Sequence, residues 1–105
     1  MDQKQIQKSL RVFTQRVKTK FKPEQIVLFG SFARGKANKY SDVDVVVIAN
    51  TFKSIPEEKR LDELYPLTAD LSPDFHVFGY TPEEFAKISD LTSITEAKTQ
   101  GIPLL

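Results

Sequence analysis

Two apolar runs, separated by a polar segment, dominate the hydrophobic pattern of the chain. The first run, IVLF, begins at Ile26, and the second, VVVIA, begins at Val45. Each is long enough for a buried strand, and the unbroken apolar character of the second is typical of a central strand covered on both faces. The pattern therefore predicts strands over residues 25–30 and 42–49.

An amphipathic helix is predicted ahead of these strands, over residues 3–20. Apolar side chains recur there every three or four positions, which places them on one stripe of a helix. The members of this stripe are Ile6, Leu10, Phe13, Val17 and Phe21. Pro23 follows, and we expect the helix to end before it because proline disfavours helical geometry in the preceding residue.

A capping-box pattern predicts the next helix. The tetrapeptide SIPE, beginning at Ser54, places a hydroxyl three residues before a glutamate, with a proline in the first turn. We expect a helix over residues 55–65, and the pattern is compatible with a continuation to Leu71. The side chains predicted to face inward are Leu61, Leu64 and Tyr65.

Two further capping boxes follow in the last quarter of the chain. The tetrapeptide TPEE at Thr81 predicts a helix with Phe85 and Ile88 facing inward. Ser93 and Glu96 have the same spacing and predict a short helix, which a glycine at position 101 would end.

The remaining apolar segments complete the predicted fold. Residues 74–78 predict a third strand, with Phe75 and Val77 on one face, and residues 102–105 predict a short edge strand. The resulting order, α-β-α-β-α-β-α-α with a terminal strand, indicates an α/β (α+β) fold. We expect one domain over residues 1–105, with a small mixed sheet of about three to four strands flanked by helices.

Composition and charge narrow the class of protein. The chain has no cysteine, which favours a reducing compartment, and no apolar run approaches the roughly 20 residues of a membrane helix. The N-terminus lacks the apolar core of a signal peptide, so we expect a cytoplasmic protein with no membrane partner. A net charge of +1 argues against strong nucleic-acid binding.

The charge is unevenly distributed along the chain. Residues 1–22 contain seven Lys and Arg against one Asp, whereas the remainder contains eight against thirteen Asp and Glu. A solvated helix face explains this basic segment most simply, and a docking surface for an acidic partner is the alternative.

The polar segment between the first two strands carries the candidate chemistry. Asp42 and Asp44 are spaced i and i+2, so on a strand they face the same side, where their repulsion and desolvation favour a divalent cation. Ser31 and the cations Arg34 and Lys36 lie nearby and suit a phosphate chain. The alternative is that the two aspartates are local turn or capping residues.

This stretch resembles the signature of the nucleotidyltransferase superfamily. The resemblance rests on Gly30-Ser31, followed after ten residues by Asp42-Val43-Asp44, with a strand on each side. In particular, it resembles the minimal nucleotidyltransferases, small proteins often encoded beside HEPN-domain partners.

The resemblance implies a set of site residues. Asp42 and Asp44 would be catalytic metal ligands, and Asp74 would complete a site for two Mg²⁺ ions. Gly30, Ser31 and Arg34 would bind the nucleotide. His76 is expected to be a packed or hydrogen-bonded histidine.

The resemblance also implies a reaction and a partner. The expected reaction is magnesium-dependent transfer of AMP from ATP to a hydroxyl, with a tyrosine of a HEPN-domain toxin as the acceptor. The chain would then be the antitoxin of a toxin–antitoxin pair, acting as a protein adenylyltransferase. The alternative is a non-catalytic subunit that binds nucleotide or masks the toxin. A homo-oligomer is compatible with the sequence.

Overall fold

A computed structural model describes residues 3–88 and 94–105 of the chain. The strands are β1 (Gln25–Phe29), β2 (Val43–Ile48), β3 (Phe75–Tyr80) and β4 (Ile102–Pro103). The α-helices are α1 (Gln3–Phe21), α2 (Arg60–Leu64), α3 (Pro82–Ala86) and α4 (Thr95–Gln100). Single 3₁₀ turns cover Asn50–Ser54, Glu57–Lys59 and Tyr65–Thr68.

The four strands form one mixed sheet in the order β3-β2-β1-β4. Strand β1 pairs antiparallel with both β2 and β4, whereas β2 pairs parallel with β3. Across these pairs, Phe29 lies opposite Asp44, and Asp44 lies opposite His76. The predicted fold class, a small mixed sheet flanked by helices, is confirmed, and so is a strand after Gly101.

Helices cover both faces of the sheet, which explains why β2 is apolar on both sides. One face packs against α1 and the segment around α2. Its fully buried side chains include Phe13, Val17, Val43, Val45, Val47, Phe52 and Leu64. The opposite face packs against α3 and α4, with Val46 and Ile48 buried there beneath Ile94 and Ala97.

Two predicted helices form as expected. In α1, Phe13, Val17 and Phe21 are buried, and Leu10 packs against the same core. In α3, the Glu84 N–H donates to the Thr81 hydroxyl at 3.1 Å and the Thr81 N–H donates to the Glu84 carboxylate at 2.7 Å, which is the complete capping box. Ser93, which was predicted to cap the last helix, lies outside the described residues.

The predicted helix over residues 55–65 is wrong in its start and its buried face. Ser54 does not cap it: its hydroxyl donates back to the Thr51 carbonyl and closes a 3₁₀ turn. The α-helical part begins only at Arg60, after a separate 3₁₀ turn over Glu57–Lys59. Leu64 is buried as expected, but Leu61 and Tyr65 are each 43% exposed.

Arg60 is a buried residue that hydrogen-bonds the segment before α2 to its neighbours. Its side chain is 5% exposed and donates hydrogen bonds to the carbonyls of Phe52, Ile55 and Gly79 at 2.9, 3.0 and 3.2 Å. It also donates to the Glu84 carboxylate at 2.6 Å. These bonds link the segment before α2 to β3 and to the first turn of α3, because a guanidinium group can serve several acceptors at once.

Three smaller differences concern the starts of two strands and the segment between β1 and β2. Strands β2 and β3 begin at Val43 and Phe75, one residue after the predicted starts. The helix predicted between the first two strands does not form: residues 30–36 make hydrogen-bonded turns, in which the Arg34 N–H donates to the Gly30 carbonyl at 3.1 Å. Within the described residues, no helix is long and apolar enough to cross a bilayer.

We expect Arg60→Ala to destabilise the protein by about 3 kcal/mol, because it leaves buried carbonyls and the Glu84 carboxylate without their donor. Urea denaturation would measure this loss. Lys53→Ala is the matched control, since Lys53 forms an exposed ion pair with Glu83 at 3.2 Å, and a change of within about 0.5 kcal/mol is expected there. Equal losses in the two variants would contradict the role of Arg60.

Candidate active site

An open cleft lies at the end of β1, on the face of the sheet that α3 and α4 cover. Its volume is about 280 Å³. It is lined by Phe29, Gly30, Ser31, Arg34, Asp44, His76, Phe78 and Glu96. The antiparallel pairing of β1 with β2 and the parallel pairing of β2 with β3 bring these residues together from three strands, one turn and one helix.

Gly30 follows β1 directly and lies against the Asp44 carboxylate. Its φ of +78° is in the left-handed region that favours glycine. A Cβ atom at this position would overlap the Asp44 carboxylate, so no larger residue fits without displacing it. The glycine therefore permits both the sharp turn and the close approach of backbone to a carboxylate.

The turn after β1 presents positive groups to the cleft, and both contact one carboxylate. The Gly30 N–H donates to Glu96 Oε2 at 2.7 Å, and Arg34 Nη1 donates to Glu96 Oε1 at 2.5 Å. Ser31 also lines the cleft, beside these two donors. The three residues predicted to bind nucleotide, Gly30, Ser31 and Arg34, therefore lie together.

Asp44 is the central acidic group of the cleft, and its side chain is 24% exposed. Burial, the largest cause, raises the pKa of its carboxyl above the ordinary value of 3.8. His76, whose Nδ1 lies 3.3 Å from Asp44 Oδ1, opposes this change, and repulsion from Asp42 and Glu96 reinforces it. A bound cation would relieve the repulsion and stabilise the ionised carboxylate.

The predicted third carboxylate, Asp74, does not lie opposite Asp44 in the sheet. The register places His76, not Asp74, opposite Asp44, while Asp74 is exposed just before β3 and its carbonyl accepts from the Val43 N–H at 2.9 Å. Over residues 3–88 and 94–105, no group of three or more His, Cys, Asp or Glu side chains is arranged to hold a metal ion. The role of Asp74 as a metal ligand therefore stays a prediction.

The donor chemistry nevertheless fits a hard cation at Asp42 and Asp44. Both carry carboxylate oxygens, the ligands that Mg²⁺ prefers, and Mg²⁺ typically takes one or two carboxylates and completes its shell with water and phosphate oxygens. Asp42 is exposed and close enough to Asp44 to influence its pKa. These two residues suit one ion; the described side chains give no support for a second.

Sequence reasoning missed Glu96 as a site residue and assigned His76 no functional position. Glu96 is 66 positions from Gly30 along the chain, and it was predicted only as part of a capping box. His76 was placed correctly on the face of β3 opposite to Phe75 and Val77. Only the register of β3 against β2, which the sequence pattern does not specify, shows that it faces Asp44.

The model of the family described as "Nucleotidyltransferase domain" matches residues 10–100. The chain belongs to the nucleotidyltransferase domain family. The matched region contains the whole cleft, including Gly30, Asp44 and Glu96, and the superfamily predicted from the sequence is confirmed.

The chain is also similar, over part of its length, to two named proteins. It is 47% identical over 64 residues to a Methanocaldococcus jannaschii protein named "Putative protein adenylyltransferase MJ1305", covering 59% of this chain and 41% of the relative. It is 33% identical over 55 residues to "Putative protein adenylyltransferase MJ0141" of the same organism, covering 50% and 56%. The chain thus matches about half the length of these relatives.

The similarity to the solved structure concerns the fold alone. That structure, described as a putative nucleotidyltransferase from Sulfolobus solfataricus, superposes with a TM-score of 0.62 at 15% identity. The match covers 98% of this chain and 87% of the other. The two proteins therefore share the same arrangement of sheet and helices over nearly the whole chain.

Gly30→Ala should destabilise the protein more than Gly35→Ala. The two glycines have φ values of +78° and +71°. An alanine at either position would therefore have the same unfavourable left-handed backbone conformation, which costs about 1–2 kcal/mol. Only at Gly30 would the new Cβ also overlap Asp44, since Gly35 has no atom within 4 Å of that position. We expect an additional loss of at least about 1 kcal/mol in urea denaturation. Equal losses of stability in the two variants would show that a side chain at position 30 does not overlap Asp44.

Asp44→Asn should stabilise the protein at neutral pH in metal-free buffer. Because the pKa of Asp44 is raised in the folded state, its ionisation costs stability, and this cost develops as the pH rises through the folded-state pKa. The amide does not ionise, so the melting temperature of the variant should exceed that of the parent at about pH 7 and equal it at about pH 3. A parent protein more stable at pH 7 would contradict this account of the cleft.

Proposed function

We propose that this chain catalyses transfer of AMP from ATP to a hydroxyl group on a separate protein. The observation that carries the proposal is the cleft, where the Gly30 N–H and the Arg34 guanidinium lie beside the Asp44 carboxylate. Donors for phosphate oxygens and ligands for a cation thus meet at one end of the sheet. The relatives named as protein adenylyltransferases support protein as the acceptor.

The phosphate-binding part of the proposal rests on the turn after β1. Gly30, Ser31 and Arg34 supply backbone N–H groups, a hydroxyl and a guanidinium, which are the donors that polyphosphate sites use. The absence of a side chain at Gly30 lets a phosphate approach the backbone. These groups would orient the triphosphate with its α-phosphate exposed to an incoming hydroxyl.

The metal-binding part rests on Asp42 and Asp44. These carboxylates would hold Mg²⁺, which supplies charge neutralisation to the triphosphate when it is bound. In the reaction, an acceptor oxygen forms a bond to the α-phosphorus and releases its proton to solvent. The bond between the α-phosphorus and the bridging oxygen breaks, and pyrophosphate leaves with the electron pair of that bond. A second ion, with Asp74 as a ligand, is part of the proposal that only the family resemblance supports.

The acceptor comes from outside the cleft. A volume of about 280 Å³ is just below the roughly 300–1,000 Å³ of ordinary small-molecule sites, so it leaves little room for an acceptor beside a nucleotide. A docked protein would present its hydroxyl, and its binding would supply the positioning that the cleft does not. The resemblance to minimal nucleotidyltransferases supports a HEPN-domain toxin as this partner, a tyrosine as the acceptor and an antitoxin role.

A non-catalytic subunit that binds nucleotide or masks a toxin is the second candidate function. The strand register favours this alternative, because it places His76, and not the predicted third carboxylate Asp74, opposite Asp44. Isothermal titration with ATP, with and without Mg²⁺, separates simple masking from nucleotide binding, because masking requires no nucleotide. A transfer assay then separates binding from catalysis.

We expect the parent chain, incubated with ATP, Mg²⁺ and a HEPN-domain protein from its genomic neighbourhood, to add AMP units to that protein. Intact mass measurement would detect them. Asp44→Asn should lower the transfer rate at least about 100-fold, on the scale of removing one charge-stabilising group from an active site.

Asp62→Asn is the control for this experiment, since Asp62 is exposed on α2 and lies outside the cleft. It should transfer AMP at the parental rate. Full activity in Asp44→Asn would refute the proposed site. Nucleotide binding without any transfer would favour the non-catalytic function.

A further inference from the structure

The carboxylate of Glu96 occupies the two donors that a triphosphate would use. One oxygen accepts from the Gly30 N–H at 2.7 Å and the other accepts from Arg34 at 2.5 Å. The side chain is 25% exposed and reaches the end of β1 from α4, which packs on the same face of the sheet. The turn after β1 therefore already binds an anion, and that anion belongs to the protein.

We propose that Glu96 is a specificity-determining residue, whose carboxylate must be displaced by the nucleotide and which thereby excludes phosphate compounds that carry no divalent cation. The inference rests on the proposed function, because it assigns these donors to a triphosphate. A carboxylate and a phosphate each present a pair of anionic oxygens, so they compete for the same N–H groups.

The surrounding charges make this competition unequal. Asp44 lines the same cleft and Asp42 lies close to it, so an anion without a cation meets two carboxylates in addition to the displaced Glu96. His76 and Arg34 offset part of this charge. A triphosphate that carries a divalent cation brings the neutralising charge with it, whereas phosphate or pyrophosphate alone does not. Glu96 therefore makes the binding of a phosphate ligand depend more strongly on a divalent cation.

A purely structural role for Glu96 predicts the opposite result. If its contacts only held Gly30 and Arg34 in the binding geometry, removal of its charge would loosen the turn and weaken the binding of every phosphate ligand. The two roles thus differ in the sign of the change in affinity, which a binding measurement detects directly.

The test is isothermal titration of the parent, Glu96→Gln and Glu96→Ala with two ligands, ATP in the presence of Mg²⁺ and pyrophosphate in the presence of EDTA. We expect both variants to bind pyrophosphate about tenfold more tightly than the parent, which corresponds to about 1.4 kcal/mol. Glu63→Gln is the matched control, since Glu63 forms an ion pair with Lys20 away from the cleft and its loss should leave both affinities unchanged. Circular dichroism would verify that each variant is folded.

The outcomes separate this inference from the proposed function. If the parent binds ATP with Mg²⁺ while both Glu96 variants bind pyrophosphate no more tightly than the parent, this inference is overturned and the proposed function stands. If no protein in the set binds ATP with Mg²⁺, the proposed function fails and the inference fails with it.

Discussion

The contact between Gly30 and the Asp44 carboxylate is the constraint on which the whole site depends. The pairing of β1 with β2 places Phe29 opposite Asp44, so the next residue of the chain must turn away directly above a carboxylate. Only a residue without a side chain makes that turn at a positive φ and leaves the carboxylate in place. The position of Arg34, the shape of the cleft and the access of Glu96 to the backbone N–H all follow from this turn.

The site also balances positive and negative charges among its own side chains. Burial and nearby carboxylates raise the pKa of Asp44, and His76 opposes this rise. Arg34 forms an ion pair with one of those carboxylates, Glu96. Glu96 in turn satisfies the two anion donors of the turn. A bound cation would take over the role of His76 beside Asp44, and a polyphosphate would take over the role of Glu96 at the Gly30 N–H and Arg34. The internal contacts are therefore consistent with the proposed function.

Elements that depend on neighbouring residues could be predicted from the sequence, whereas contacts between distant segments could not. The apolar runs around Asp44, the stripe of α1 and the Thr81 capping box depend on neighbouring residues, and these predictions are confirmed. The SIPE motif failed because Ser54 bonds to Thr51 and because Arg60, an apparent surface residue, is buried among carbonyls. Glu96 and His76 join the cleft through a helix packing and a strand register that no local pattern encodes.

The central claim, that the cleft at the end of β1 binds a nucleoside triphosphate, is tested most directly by nuclear magnetic resonance. Titration of the ¹⁵N-labelled chain with ATP and Mg²⁺ should shift the backbone amides of Gly30, Ser31 and Asp44 and the side-chain N–H of Arg34 more than any other signals. Saturable shifts confined to another surface, such as the groove between α1 and Leu104, would contradict the account.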